Sequence, residues 1–231
     1  MKEKPNEWIS VSDLMSGVMA VIMLMLVVSV LQNKAAEAAM RAEKLEMEAT
    51  RRAEREQGAA AQQARITKLL EEMQADLSQQ GETDLVDIDI RNRRLTLPDK
   101  VFARGSACIT DEARQALNRL STRVATFVSN DRQARVLVEG HTDNVQVSRP
   151  VVDFIRFCTV YDDNFTLSAA RAREARKLLI QALNEEQAKR VIVAGYGDSH
   201  PLEGKDPGDA QNRRVEIQLS PSGSGKAADG N

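Results

Sequence analysis

The stretch ARVLVEGHTDN, Ala134 to Asn144, reads as a strand that ends in a glycine and delivers four polar residues, His141, Thr142, Asp143 and Asn144, to its C-terminal edge. That edge is where open α/β sheets commonly bind ligands. Upstream, ITDEARQALNRLSTRVATFV opens with Thr110 as N-cap and places Ala113, Leu117, Leu120, Val124 and Phe127 on one face, the pattern of an amphipathic helix. Downstream, LSAARAREARKLLIQAL predicts a second helix with Ser168 near its start. RVIVAGYG (Arg190 to Gly197) and RRVEIQL (Arg213 to Leu219) predict two further strands. LVDIDI (Leu85 to Ile90) and RLTLP (Arg94 to Pro98) alternate strictly and predict a strand pair turning around Arg91 to Arg93. The order after the first strands is helix, strand, helix, strand, loop, strand. It predicts an α/β fold, an α+β sandwich with helices on one face of a mixed sheet.

The chain before this domain is of another kind. From Leu14 to Leu31 there is no charge, and a helix starting at Trp8 would be roughly 36 Å long, enough to cross a bilayer. Asp13 stands at the head of this run. One reading places it inside the hydrocarbon, where an ionisable group is costly and marks an ion path. Another places it at the headgroups, favoured by the helix dipole, with Ser10 or Ser12 as cap. A cleaved signal is the third reading: Lys2 and Lys4 give a basic start and Ala36 to Ala38 spell AEA, but the apolar run exceeds a typical signal core. Lys2 and Lys4 before the span, against Lys34 and Arg41 after it, orient it weakly with the N-terminus inside.

After the span, residues rich in Ala, Glu, Lys, Arg and Gln favour helix up to Gly81. Ile66, Leu70, Met73 and Leu77 follow the four-three-four spacing of a short coiled coil, with a solvated single-helix spacer as the alternative. The expected organisation is a tail at 1–7, a transmembrane helix at 8–32, a helical stalk with partial coiled coil at 33–80, the globular domain at 81–220 and a flexible tail at 221–231.

Of the 231 residues, 29% are charged, and the formal net charge of −2 argues against bulk electrostatic binding to nucleic acid. Cys108 and Cys158 form one disulfide if the domain faces an oxidising compartment, or remain two buried thiols. Only two histidines are present, His141 and His200, and no cluster of Cys, His and carboxylate at metal-ligand spacing surrounds them, so no metal and no cofactor is expected. There is no nucleophile elbow, P-loop or dinucleotide fingerprint, so no enzyme activity is expected either. A polar binding site remains. Asp143 offers a carboxylate suited to an ammonium, and Arg171 a planar guanidinium suited to a carboxylate. Alternatively, the two simply pair with each other or with solvent.

Together VFARGSACITDEA, VEGHTDN, NFTLSAARA, GYG and NRRVEIQL resemble the OmpA/MotB C-terminal peptidoglycan-binding domain, from about Leu85 to Leu219. The resemblance implies that Asp143 and Arg171 grip the diaminopimelate of peptidoglycan, with Asn164 and Arg213 as secondary contacts. The sequence departs from the family in a longer segment between Asn144 and Asn164, and in FARGS, which lacks the acidic residue often found after the phenylalanine. Asp13 followed by LMSGVMAVIMLMLVV resembles the transmembrane helix of MotB-type stator subunits, which implies that Asp13 carries protons, or else sodium ions. WISVSDLMSG and the long charged stalk resemble the B subunits of Zorya anti-phage defence systems. That resemblance implies a homodimer inside a pentameric ZorA-like membrane subunit. It also implies a bacterial inner-membrane, single-pass protein with a cytoplasmic N-terminus and a wall-bound periplasmic domain. A flagellar stator B subunit and a passive wall tether are the rival readings.

Overall fold

The structure is a computed structural model that describes the backbone from Glu7 to Pro221 and side chains from Leu14 onward. All but Glu7 and Pro221 of the expected tails, and the Asp13 side chain, therefore lie outside the described residues. Helix α1 spans Glu7–Gln80, and the chain divides into two compact units at Gly58. In the first unit every described side chain from Leu14 to Leu31 is exposed, and an 18-residue window there reaches a mean hydropathy of 2.7. The helix is long and apolar enough to cross a membrane.

The second unit begins at Ala59, not at Gly81. Ile66, Leu70, Met73 and Leu77 are buried in the same apolar cluster as the domain core. The seam expected to meet a partner helix is thus occupied by the chain's own domain. The physical reason is that a four-three spacing specifies one apolar stripe without specifying what covers it. Polar contacts flank the stripe: Arg123 reaches Glu72 at 3.0 Å and Asp76 at 2.7 Å, and Arg93 donates to Gln63 at 2.6 Å.

Five strands follow: β1 (Asp87–Asp89), β2 (Arg94–Pro98), β3 (Arg135–His141), β4 (Val191–Gly195) and β5 (Arg214–Ser220). They form one sheet in the order β1-β2-β5-β3-β4. Only β3 and β4 run parallel; the other neighbours are antiparallel. The expected mixed sheet is therefore present, and the turn between β1 and β2 places Arg93 at a φ of 55°. Helix α2 (Asp111–Asn130) starts at the Thr110 cap, whose side chain accepts from the Ala113 amide. Helix α4 (Asn164–Leu179) starts one turn earlier than expected, because Asp163 caps it by accepting from the Thr166 amide. Two short helices, α3 (Phe154–Phe157) and α5 (Glu185–Ala188), complete the α-helices among the described residues.

Both long helices cover one face of the sheet. Val136 and Val138 of β3, and Val215, Ile217 and Leu219 of β5, are buried with Leu117, Leu120 and Val124 of α2 and Ala172, Ala175 and Leu179 of α4. The close approach of α4 needs glycine: a Cβ on Gly140 would collide with the Ser168 carbonyl, and one on Gly195 would collide with Ala169.

Candidate functional site

The end of β3 is held from two sides. Thr142 donates its amide to the Gly197 carbonyl at 2.8 Å, and Asn144 donates to Pro207 at 3.1 Å, so the chain after Gly140 is fixed as it leaves the sheet. Asp143, 7% exposed, sits in this anchored turn and accepts from the Val145 amide at 3.3 Å. Asn164, the first residue of α4, donates its side-chain amide to the carbonyls of Asp143 (3.2 Å) and Val145 (3.0 Å). Its role within the fold is to clamp the turn that carries Asp143.

Asp143 and Arg171 do not pair with each other. Arg213, the residue before β5, places Nη1 2.6 Å from Asp143 Oδ2 and Nε 3.1 Å from Asp99 Oδ2. Arg171, on α4 and 2% exposed, places Nη1 3.0 Å from Asp99 Oδ1 and donates Nε to the Ser106 carbonyl at 3.0 Å. The contact from Nη1 to Oδ1 is an ion pair without aligned hydrogen-bond geometry. The result is a row of alternating charge, Asp143, Arg213, Asp99, Arg171, assembled from four separate stretches of chain. Burial pushes Arg171 below the ordinary arginine value, and the Asp99 carboxylate opposes that shift. Arg213 is raised, chiefly by its hydrogen bond to Asp143.

Asp99 was missed by sequence reasoning. It follows Pro98 directly at the end of β2, and a short 3-10 turn at Asp99–Val101 puts its carboxylate between the two arginines. The signal was an acid immediately after a strand ending in proline, on the N-terminal side of Phe102 and not beyond it.

The long segment between Asn144 and Asn164 is tied to the rest of the domain. Cys108 and Cys158 form a disulfide with Cα atoms 5.1 Å apart, and Val151 pairs with Tyr161 in an isolated bridge. Tyr161 donates its hydroxyl to the Gly105 carbonyl at 2.6 Å, and Ala107 donates its amide to Phe157 at 3.0 Å. Phe102 lies under Arg171, with the guanidinium carbon 5.2 Å from the ring centroid. The insert and the Phe102–Ala107 loop therefore flank the charged row and are pinned to one another beside it.

Comparison with known proteins agrees with this architecture. Residues 101–214 match the sequence model of the OmpA family, so the mixed α/β domain is OmpA-like. Two Escherichia coli proteins, each described as a flagellar export/assembly protein LafU and one of them truncated, are 31% identical over 119 residues, 52% of this chain. The chain spans about half of the truncated form (49%) and a third of the other (34%). Among solved structures, a MotB-like protein from Desulfovibrio vulgaris superposes with a TM-score of 0.55 at 23% identity, covering 70% of this chain and 98% of that one.

Proposed function

We propose that this chain is the peptidoglycan-anchored B subunit of an ion-driven inner-membrane motor of the MotA/MotB type, working in Zorya anti-phage defence with a ZorA-like pentameric partner. The observation that carries the wall-binding half is the charged row. Its four groups sum to zero charge, so a zwitterionic ligand end, one ammonium and one carboxylate, can exchange into it without leaving a net charge buried. The free amino-acid end of diaminopimelate has that chemistry. Its ammonium takes the place of Arg213 at Asp143. Its carboxylate takes the Arg171 N–H groups that Asp99 does not align with, and Arg213 and Asp99 remain paired beside it.

The motor half rests on Asp13 at the head of an apolar helix in the same chain. A carboxylate there alternates between charged and neutral as it takes a proton, or a sodium ion, from the periplasmic side and releases it to the cytoplasm. Each change alters its fit to the surrounding partner, which drives the partner ring stepwise while a wall-bound homodimer stays fixed. The partner's movement then activates effectors against invading DNA, and this chain does not itself cut nucleic acid.

A flagellar stator B subunit is the second reading, favoured by the flagellar description of the E. coli relatives. The deciding experiment is phage protection in cells carrying the native gene neighbourhood, comparing the natural chain with Asp13→Asn at matched membrane expression. Loss of protection with the complex still assembled is expected. Full protection by the variant leaves only the tether role, and no protection by the natural chain points to the flagellar reading.

A further inference from the structure

The sheet face opposite the helices carries a second group of chemistry-bearing side chains. Strand alternation turns Gly140 toward α4 and sends Glu139 and His141 the other way. The β3–β5 register sets Glu139 opposite Glu216 and His141 opposite Arg214. Segment 196–205, which follows β4, lines the same side and forms with these residues an open cleft of about 570 Å³. Within it, one ring nitrogen of His141 and one carboxylate oxygen each from Glu139 and Glu216 lie within 4.8 Å of one another.

His141 is the feature that needs a ligand. It is 4% exposed, yet neither Nδ1 nor Nε2 has a hydrogen-bond partner among the described residues. A buried imidazole without a partner is costly, and native interiors rarely keep one. Tyr196 stacks on the ring at 5.4 Å and 15°, which fixes its plane while leaving both nitrogens at the ring edge. Glu216 is held in place by Arg214 Nε on Oε1 (2.6 Å) and Arg94 Nη1 on Oε2 (2.8 Å). Each of its oxygens keeps a second lone pair for another partner.

We propose that His141, Glu139 and Glu216 form a binding site for a divalent transition-metal ion such as Zn²⁺. One imidazole and two carboxylates are a donor set suited to that class, and an open fourth position is left for water. Metal–ligand bonds of about 2.0–2.2 Å require the three donor atoms to draw together from their present separations. Glu139, half-buried at the cleft wall, supplies most of that movement. The two arginines share Glu216 with the metal, so the affinity is below that of a closed structural zinc site. An ion here ties β3 to β5 two residues before Asp143, and so fastens the strand end from which the charged row is built. The site is separate from that row, and its test does not depend on wall binding.

The test uses the full chain in detergent micelles, stripped with a chelator and titrated with Zn²⁺ by calorimetry and with Co²⁺ by visible absorption. One equivalent is expected, with a rise in Tm on saturation. Glu139→Gln, which keeps the shape of the side chain and can still accept from the Tyr196 hydroxyl that bonds Glu139, is expected to bind at least tenfold more weakly with a metal-free Tm no lower than that of the natural chain, because burial disfavours the Glu139 charge. His141→Asn is expected to abolish the Co²⁺ spectrum; if that variant does not fold, Glu139→Gln decides alone. Absence of an equivalent at millimolar Zn²⁺, or binding that Glu139→Gln leaves intact, overturns the site.

Discussion

At the scale of single residues, Asp143 and Arg171 are held by different forces, and the difference sets how each responds to mutation. Asp143 is fixed by backbone: the Val145 amide, the Asn164 clamp on its own carbonyl and the anchored amides on either side. Asp143→Asn keeps that frame and removes the charge that would hold an ammonium. It is expected to lower co-sedimentation of the chain with purified peptidoglycan sacculi at least tenfold, with a smaller loss of Tm than Arg171→Ala, because Arg213 gives up its ion pair with Asp143 but keeps the one with Asp99. Arg171 is buried and pairs with Asp99, so Arg171→Ala leaves Asp99 facing Arg213 alone and is expected to cost about 3 kcal/mol of stability as well as binding. His141 gives a pH dependence of opposite origin. Burial, reinforced by Arg214, lowers it to about 4, so it is neutral in the folded protein where the unfolded chain already protonates. Its contribution is fully present above about pH 6.5 and is lost as pH falls toward 4, by at most about 3 kcal/mol before solvent screening. The groups facing it include Glu216, which favours its charged form, Arg94, Arg214 and His200, which oppose it, and Glu139, itself raised by burial, whose protonation at lower pH partly offsets the loss. Melting the chain in excess chelator from pH 7 to 4.5 should show this loss, and His141→Asn should flatten it.

At the scale of elements, the insert and the end of α1 determine what the domain rests on. The disulfide closes a loop with a sequence separation of 50 and spans the Phe102–Ala107 loop and the insert, the two segments flanking Arg171. Loop-closure entropy gives it about 4 kcal/mol at 25 °C. A Cys108→Ser, Cys158→Ser double variant is expected to melt well below the natural chain, and adding a reductant to the natural chain should reproduce much of the loss. The stripe at Ile66, Leu70, Met73 and Leu77 makes the last part of α1 a component of the domain. Residues 59–80 therefore belong to the folded unit and are not a spacer ahead of it. The four-three spacing was legible in the sequence. Its partner was not, because an apolar stripe is covered equally well by a second helix or by a sheet–helix core, and only the three-dimensional packing selects between them.

At the scale of the whole molecule, one chain combines a membrane-length apolar helix with an OmpA-like domain. The proposed orientation puts that domain in the periplasm. Protease added to spheroplasts should therefore degrade it, whereas inverted membrane vesicles should protect it; the reverse result would place the domain in the cytoplasm and remove the wall as its ligand. The sequence alone determined the order of elements, the Thr110 cap, the mixed α/β class, the apolar span and the polar edge at His141 to Asn144, since each is written in local periodicity or in residues that act where they stand. The tertiary structure decided which charges meet. Asp99 joined Arg171 and Arg213 because β2 and β5 are neighbours in the sheet and α4, packed on β3 and β4, carries Arg171 to within 3.0 Å of Asp99. Glu139 and Glu216 came together with His141 because an antiparallel register aligns residues 77 positions apart. Contacts of that kind depend on register and crossover, which long-range burial fixes, and no spacing along the chain encodes them.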